Sequence, residues 1–246
     1  AQPLSFVEVV GRQVEMQAGS RIHVPGGSVS VTALPNPAEL PVGETPLPDD
    51  PESWIRLADD SVIDVAGSTA DVDATRRLVA VELRSNELRD APVQRDGALR
   101  GETIVVDARV GTPLVDVSGA ASSIAQDVRE RTAAGGTVSL VSRGDVQIDA
   151  GATIDVSGGA VNYRSGVLQT SRAITMDGRV VDISTAAPDV VYRGLLNPTV
   201  DVAYTKWGVT EYRAAPGLGR YLPAYTEGRD AGTLQIAGPR ITVNGD

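Results

Sequence analysis

The sequence predicts an all-β chain that folds as a parallel β-helix, a solenoid with loops that leave its coils. Three observations favour this fold: short runs of alternating apolar and polar residues, a repeated aspartate-centred phrase, and an aromatic content of only 4%. Alternation with a period of two is typical of strands that bury one face. The low aromatic content agrees, because a narrow solenoid interior is filled by stacked Val, Ile and Leu.

Strands of four or five residues are expected wherever this alternation occurs, separated by short turns that contain glycine. The apolar residues Leu140, Ile148 and Val156 are spaced eight apart and are expected to point inward. The runs that show the pattern are 13–17, 21–24, 28–32, 137–140, 145–149, 153–156, 233–236 and 240–243.

A repeated phrase places an aspartate between aliphatic residues and follows it with small residues. Its copies are Val62–Gly67, Leu114–Gly119, Thr153–Gly158 and a degenerate Val181–Ser184. The aliphatic residues are expected to be buried, the aspartate to point outward, and the small residues to form a turn. A short strand cannot bury its face alone, so the copies are expected to stack, with about six to eight coils in all.

Several segments interrupt the strand rhythm within what we expect to be one β-helix domain over residues 1–246. Residues 33–53 hold six prolines and predict an extended Pro-rich loop, because proline cannot pair within a central strand. Residues 84–100 are rich in Arg and Asp and predict a surface loop. Residues 122–134 predict a short helix that begins at Ser123, with Gln126 in a capping box.

Composition and charge exclude several classes of protein. The formal net charge is −10 and Lys206 is the only lysine, so we expect no nucleic-acid partner, since phosphates would be repelled. The absence of cysteine excludes disulfide scaffolds, thiol nucleophiles and Cys/His zinc sites. No apolar stretch approaches the roughly 20 residues of a membrane-spanning helix. Ala1–Leu4 carry no signal peptide, so we expect a mature segment or a piece of something longer.

A repeat phrase in the middle of the sequence and a block nearer its end carry a resemblance to a known family. The phrase Thr153–Gly158, beside the run Gly135–Leu140, is similar to the right-handed β-helix repeats of filamentous-haemagglutinin-like exoproteins. These are the secreted partners of bacterial two-partner secretion. Residues 204–210 and 219–232 resemble an insert of the very large members of that family, and the whole resemblance covers about residues 55–246. The right-handedness of the expected solenoid rests on this resemblance and on the general preference for right-handed crossovers.

The resemblance implies a secreted or cell-surface bacterial fibre, exported unfolded through an outer-membrane transporter and active in adhesion, biofilm formation or cell contact. The family's secretion domain usually carries Asn-Pro-Asn-Leu and Asn-Pro-Asn-Gly motifs. Here Asn36-Pro37 and Asn197-Pro198 lack the residues that follow in those motifs. We therefore expect an internal piece of the shaft, with a structural and adhesive role and no catalysis.

Two alternatives remain open: a β-helical carbohydrate-active enzyme or tailspike-like depolymerase, and the stalk of a contact-dependent toxin delivery protein. Glycoside hydrolysis needs two carboxyl groups about 5–10 Å apart. Any stack of outward aspartates, such as Asp64, Asp116 and Asp155, would place carboxyl groups this far apart. The spacing therefore does not distinguish an enzyme from a structural protein. We expect no catalytic residue, no cofactor and no metal site, although clustered loop acids at Asp49-Asp50 or Asp59-Asp60 have the oxygen ligands that Ca²⁺ takes. His23 alternates with apolar neighbours and is expected to be exposed.

The last interruption, residues 187–227, is expected to be an aromatic-rich insert outside the coils, because it contains six of the nine aromatic residues. Tyrosine and tryptophan stack on sugar faces and anchor protein interfaces. They also cover sheet edges as a satellite core, and both roles fit this segment. The candidate ligand-binding residues, for a host or bacterial surface glycan or protein, are Tyr204, Trp207, Tyr212, Tyr221 and Tyr225.

Overall fold

The structure is a computed structural model that describes residues 4–36, 49–84, 86–204, 206–214, 217 and 219–246. For residues 200–204 and 210–214 only the backbone is described. Most of the Pro-rich segment 33–53, namely residues 37–48, lies outside the described residues. None of the described helices is long and apolar enough to cross a membrane.

The chain forms two compact units, each built from separated stretches of sequence. The coil unit comprises Ala1–Asp71, Gln126–Asn162 and Thr226–Asp246, and the hairpin unit comprises Val72–Ala125 and Tyr163–Tyr225. The strands in chain order are β1 Phe6–Gly11, β2 Gln13–Met16, β3 Arg21–His23, β4 Ser28–Ala33, β5 Trp54–Leu57, β6 Val62–Asp64, β7 Thr69–Asp73, β8 Leu78–Glu82, β9 Thr103–Asp107, β10 Thr137–Ser142, β11 Asp145–Ile148, β12 Thr153–Asp155, β13 Ala160–Arg164, β14 Gly166–Gln169, β15 Arg172–Thr175, β16 Val180–Asp182, β17 Tyr192–Leu196, β18 Thr199–Tyr204, β19 Val209–Ala214, β20 Gly219–Leu222, β21 Tyr225–Gly228, β22 Thr233–Ala237 and β23 Arg240–Val243.

The coil unit is built on three parallel sheets. Their strand orders are β1-β4-β10-β22, β2-β5-β11-β23 and β3-β6-β12. Neighbours in each sheet come from successive passes of the chain, so one strand from each sheet makes one coil. Coils 1 to 3 are β1–β3, β4–β6 and β10–β12, and coil 4 contains β22 and β23.

The alternating sequence fills the interior of these coils with aliphatic side chains. Val29, Val138, Ile55 and Val146 lie at inward positions of neighbouring coils and are buried. The coils approach each other closely at one corner, where a Cβ atom on Gly136 would lie 2.0 Å from the carbonyl oxygen of Gly27. Small residues at this corner, in the turns between strands, are therefore needed for the coils to stack.

The all-β prediction is confirmed, and the strands expected from alternation are present with ends that differ by at most two residues. The expectation of one solenoid of six to eight coils through the whole chain is corrected. The described strands form eight short sheets, and the parallel stacks extend over only four coils. In a solenoid each coil brings the chain back to run parallel to the strand it pairs with. In the hairpin unit the chain instead reverses, so paired strands run antiparallel.

Antiparallel pairs make up the hairpin unit: β8 with β9, β14 with β20, β15 with both β16 and β17, and β18 with β19. Another sheet, β7-β13-β21, has most of its residues in the coil unit. The turn between β15 and β16 contains Asp177-Gly178, with Gly178 at φ 89°. Gly178 alone is left-handed in this turn, as in three-residue hairpin loops that end in a left-handed glycine.

The helical prediction for residues 122–134 is correct in kind and wrong in detail. Two short helices are present, α2 Ser118–Ser122 and α3 Val128–Arg131, after α1 Pro92–Arg95. Ser123 ends α2 and its hydroxyl donates to the Ala120 carbonyl, so it caps no helix start. The capping box belongs to Asp127, whose carboxylate accepts from Glu130 N–H at 2.9 Å while the Glu130 carboxylate accepts from Asp127 N–H at 2.8 Å.

The prediction of a surface loop at residues 84–100 is also corrected. Leu88, Ala91 and Leu99 are fully buried in the core of the hairpin unit. Gln94 is buried as well, and its side-chain amide donates to the Val190 carbonyl at 2.7 Å. Three apolar side chains spaced among charged ones are enough to bury the inner side of this segment, although its average composition is polar.

Candidate functional site

The five aromatic residues predicted to bind a ligand lie on several elements of the hairpin unit. Trp207 lies in the turn between β18 and β19, Tyr221 in β20, and Tyr225 at the start of β21. Tyr204 and Tyr212 lie in β18 and β19, where their backbones pair with Val209 and Asp201. The side chains of Tyr204 and Tyr212 are outside the described residues.

Trp207 is the most exposed of the three whose side chains are described. Its surface is 72% accessible at the turn of the β18–β19 hairpin, which pairs six residues on each strand. The ammonium of Lys206 lies 5.4 Å from the centre of the Trp207 ring, within the range of a cation–π contact. The turn thus presents a large aromatic surface next to the single lysine of the chain.

Tyr221 is exposed on a second antiparallel pair. It lies directly opposite Val167 in the β14–β20 pair, and the two side chains are 65% and 52% accessible. Opposed side chains on one face of a two-stranded pair pack against each other. Tyr221 and Val167 therefore form a small exposed apolar patch.

Tyr225 is held in a network and is only partly exposed. Its ring stacks on that of Tyr163 with centroids 4.7 Å apart and planes inclined by 15°. The guanidinium of Arg77 donates to its hydroxyl at 3.3 Å. Arg109 lies over both rings, 4.9 Å from the Tyr163 centroid and 5.2 Å from that of Tyr225. We call Tyr163, Tyr225, Arg77, Arg109 and Asp107 the aromatic–arginine cluster.

Asp107 accepts hydrogen bonds from both arginines of this cluster. Its side chain is 3% accessible and accepts two hydrogen bonds from the Arg77 guanidinium, at 2.8 and 3.2 Å. The same carboxylate accepts the backbone N–H of Arg109 at 3.0 Å. The antiparallel register, which places Leu78 opposite Asp107, brings Arg77 to the end of β9. A buried carboxylate thereby positions both arginines of the cluster.

Of the predicted residues whose side chains are described, only Tyr225 lies in this cluster, and its partners were missed. Tyr163 was detectable as the aromatic residue of the strand-like run Ala160–Arg164. Arg77 and Asp107 are 30 residues apart and share no motif. Their association depends on the β8–β9 register, which sequence periodicity does not specify.

The four aspartates of the repeated phrase share one local role. Each carboxylate accepts a hydrogen bond from the backbone N–H two residues later, an Asx turn. The acceptor–donor pairs are Asp64–Ala66 at 3.2 Å, Asp116–Ser118 at 2.9 Å, Asp155–Ser157 at 2.9 Å and Asp182–Ser184 at 2.9 Å. These aspartates therefore shape turns, whatever element follows them.

Hydrogen bonding lowers the pKa of three of these aspartates. For Asp182 burial raises the pKa, but the hydroxyl and N–H of Ser184 and the hydroxyl of Thr170 outweigh it. For Asp64 burial also raises the pKa, and hydrogen bonds from Arg21, the Ala66 N–H and His23 outweigh it. The N–H and hydroxyl of Ser118 lower the pKa of Asp116. The charged form is favoured at all three positions.

The stacking expected of the repeated phrase occurs for two copies only. Val62–Asp64 and Thr153–Asp155 pair in parallel as β6 and β12. In the hairpin unit, α2 begins at Ser118 within the second copy, and the degenerate copy continues from β16 into a 3-10 turn. The phrase encodes a turn and does not by itself fix which strand pairs with it.

His23 lies on the outer side of the coil unit, as expected. Its Nδ1 lies 2.9 Å from a carboxylate oxygen of Asp64, which also accepts from Arg21. Within the described ranges no group of three or more His, Asp or Glu side chains is arranged to hold a metal ion. At the acidic pair Asp49-Asp50, the Asp50 carboxylate accepts from the Ser53 hydroxyl at 2.6 Å and from Arg12 at 3.3 Å.

Comparisons with protein-family models, with curated proteins and with solved structures found no match to this chain.

Proposed function

We propose that the chain is a non-catalytic segment of a secreted bacterial surface fibre of the filamentous-haemagglutinin-like type. In this proposal the coil unit is a short right-handed parallel β-helix that serves as shaft, and the hairpin unit presents aromatic side chains to a glycan or protein. Export would use an outer-membrane transporter partner. The observation that carries the proposal is the set of three parallel sheets whose registers repeat from coil to coil.

The parallel sheets support a mechanical role. Hydrogen bonds between coils run along the stacking direction, and residue-for-residue registers such as Val29 with Val138 leave no bulge that would bend the sheet. The inward side chains of adjacent coils are buried against each other. A stack of this kind resists stretching and local unfolding, as a shaft requires.

Two exposed aromatic side chains support an adhesive role. Trp207 and Tyr221 expose most of their surface, and neither ring is needed to fill a described core. Aromatic rings stack on the apolar faces of sugars and anchor protein contacts. The nearby ammonium of Lys206 adds a donor for a hydroxyl or carboxylate of the ligand.

The positions of the aspartates support a role without catalysis. A general acid in glycoside hydrolysis needs a carboxyl group whose pKa is raised. Asp64, Asp116 and Asp182 are instead bound to backbone N–H groups that lower their pKa. These carboxylates accept the hydrogen bonds that hold their turns.

A glycan array and a polysaccharide pull-down with the whole chain test this proposal. The variant Trp207→Ala/Tyr221→Ala is expected to lose binding by at least about tenfold, since truncating one aromatic anchor costs about 2 kcal/mol or more. The matched control is Val128→Ala/Met176→Ala, which removes two side chains of similar exposure, 66% and 64%. Circular dichroism checks that each variant folds.

Three results would overturn the proposal. One is that neither glycans nor surface proteins bind the wild-type chain, which removes the adhesive role. Another is that the control variant loses binding as much as the aromatic variant does. The third is the release of shortened or unsaturated sugars from the captured polysaccharides, which would show a carbohydrate-active enzyme.

A further inference from the structure

A cavity of about 320 Å³ lies in the hairpin unit, between the loop that follows β9 and the 3-10 turn that follows β16. The loop contributes residues 110–113 and 115–117, and the turn contributes Ser184. Two copies of the repeated phrase, residues 114–119 and 181–184, therefore meet at this cavity. Its lining residues belong to the middle of the sequence, so its walls do not depend on where the sequence begins or ends.

Most side chains that line the cavity are apolar. Val110 and Pro113 are exposed, with Val110 53% accessible, whereas Val115 and Val117 are buried. The volume is near the lower limit of small-molecule sites, so it suits one long side chain and leaves no room for an oligosaccharide. Apolar walls of this kind accommodate the methylene stem of a side chain that ends in a polar group.

The two hydroxyl groups that line the cavity already donate within the chain. Thr112 donates to the Ile183 carbonyl at 2.6 Å, and Ser184 donates to the Asp182 carboxylate at 2.7 Å. Asp116 is the remaining polar side chain of the wall, and an ionised carboxylate accepts hydrogen bonds but donates none. A ligand of this cavity must therefore supply the donors.

Asp116 gives the cavity a negative charge. Its carboxylate accepts the N–H of Ser118 at 2.9 Å, and hydrogen bonds from the N–H and hydroxyl of Ser118 lower the pKa of Asp116, so the charged form is favoured. A carboxylate has about four acceptor sites, so acceptor sites remain for a ligand. Among the described residues no basic side chain lines the cavity. Arg89, whose charge also lowers the pKa of Asp116, pairs with Asp90 at 3.2 Å.

We propose that this cavity binds a basic side chain, lysine or arginine, of a partner protein. The methylene stem of that side chain packs against Val110 and Pro113, and its ammonium or guanidinium group donates to Asp116. Hydrogen bonds between two charged groups are the strong ones. The net charge of −10 also attracts a basic partner. This inference goes beyond the proposed function, because it needs neither the exposed aromatic side chains nor a fibre.

Titration of the isotope-labelled full chain, followed by NMR, tests the proposal. The probes are capped glycine pentapeptides whose central residue is arginine, lysine, norleucine or glutamate. The arginine and lysine peptides are expected to shift the amide signals of Gly111, Val117 and Ser184 until the shifts saturate. Norleucine keeps an apolar stem without the charge, and glutamate reverses the charge. Both of these peptides are expected to bind at least about fivefold more weakly, because they lack the contact with the carboxylate.

Two variants and a matched control locate the binding site. Asp116→Asn is expected to weaken binding of the arginine peptide by about fivefold or more, and its amide oxygen still accepts the Ser118 N–H, so the turn is kept. The control is Asp155→Asn in the coil unit, where the carboxylate accepts the Ser157 N–H at the same 2.9 Å. Val110→Arg leaves the turn untouched and supplies a competing cation, so it is also expected to weaken binding.

Several results would overturn the proposal. Absence of saturable shifts with both basic peptides excludes the site, and equal binding of the norleucine peptide excludes the ionic contact. Binding by Asp116→Asn as tight as wild type, or an equal loss in Asp155→Asn, excludes Asp116 as the acceptor. Should Asp116→Asn fail to fold by circular dichroism, Val110→Arg decides in its place. Tighter binding of free butylamine than of the lysine peptide would assign the cavity to a small amine and refute a protein partner.

Discussion

At the scale of single residues, short-range hydrogen bonding explains why the aspartate-centred phrase recurs along the sequence. The aspartate of the repeated phrase accepts the N–H two residues later in the coil unit, at Asp64 and Asp155, and in the hairpin unit, at Asp116 and Asp182. A local interaction that needs only an aspartate and a small residue works equally well before a coil turn, a helix or a 3-10 turn.

The Asp182→Asn variant tests the charge in this interaction. The pKa of Asp182 is lower in the folded chain than its ordinary value of 3.8, so its stabilisation is present above that value and is lost as the pH falls through the folded pKa. Asn keeps the acceptor oxygen and does not titrate. Urea unfolding should show a smaller loss of stability from pH 6 to pH 3 in Asp182→Asn than in wild type, and an equal loss would contradict the assignment.

The buried pair of Arg77 and Asp107 gives a second prediction at this scale. Arg77→Met leaves the Asp107 carboxylate buried without its guanidinium, which costs about 3–5 kcal/mol of unfolding free energy. The double variant Arg77→Met/Asp107→Leu should lose less, because no buried charge remains. Thermal unfolding measures both, and the control Arg84→Met, which removes an exposed ion pair with Glu82, should change little. A double variant less stable than the single one would refute the explanation.

At the scale of elements, the spacing between coils depends on residues without side chains. Gly27, Gly136 and Gly232 lie at one corner of successive coils, where Gly136 and Gly232 would each place a Cβ within 2.0 Å of a carbonyl oxygen of the coil before. Real atoms do not approach that closely, so the backbone would have to move. At this corner only glycine fits without a shift of the backbone.

The variant Gly136→Ala tests this constraint. It is expected to destabilise the coil unit by about 1–3 kcal/mol, the usual cost of overpacking where the backbone cannot yield. Gly119→Ala is the matched control, since Gly119 lies in α2, where a Cβ atom would meet no other atom within 4 Å, and alanine favours helix. Urea unfolding of both variants checks the difference, and equal stability of the two would exclude a tight corner.

At the scale of the whole molecule, two ways of burying strands coexist in one chain. The coil unit buries its strands by stacking one coil on the next. The hairpin unit buries apolar residues between antiparallel pairs and the segment around Leu88 and Leu99, with its own core. The net charge of −10 opposes non-specific contact between copies.

Much of the architecture was predictable from local sequence patterns. Alternation with a period of two identified the strands of the coil unit, and Leu140 and Ile148 are buried as that pattern predicts. Burial on one face of a strand leaves a direct record in the sequence, since every second residue must be apolar. The exposure of His23 follows from the same pattern.

Pairing partners were decided by the tertiary structure alone. The phrase around Asp155 pairs in parallel with that around Asp64, whereas the similar phrase around Asp116 leads into a helix. The aromatic–arginine cluster likewise needs Asp107, Arg77 and Tyr225 to meet from distant parts of the chain. A sequence pattern records which face of a strand is buried. Which strand lies next to it depends on how the loops bring the chain back and on the strand register. The free energies of loop closure and register are spread over many residues that are far apart in sequence.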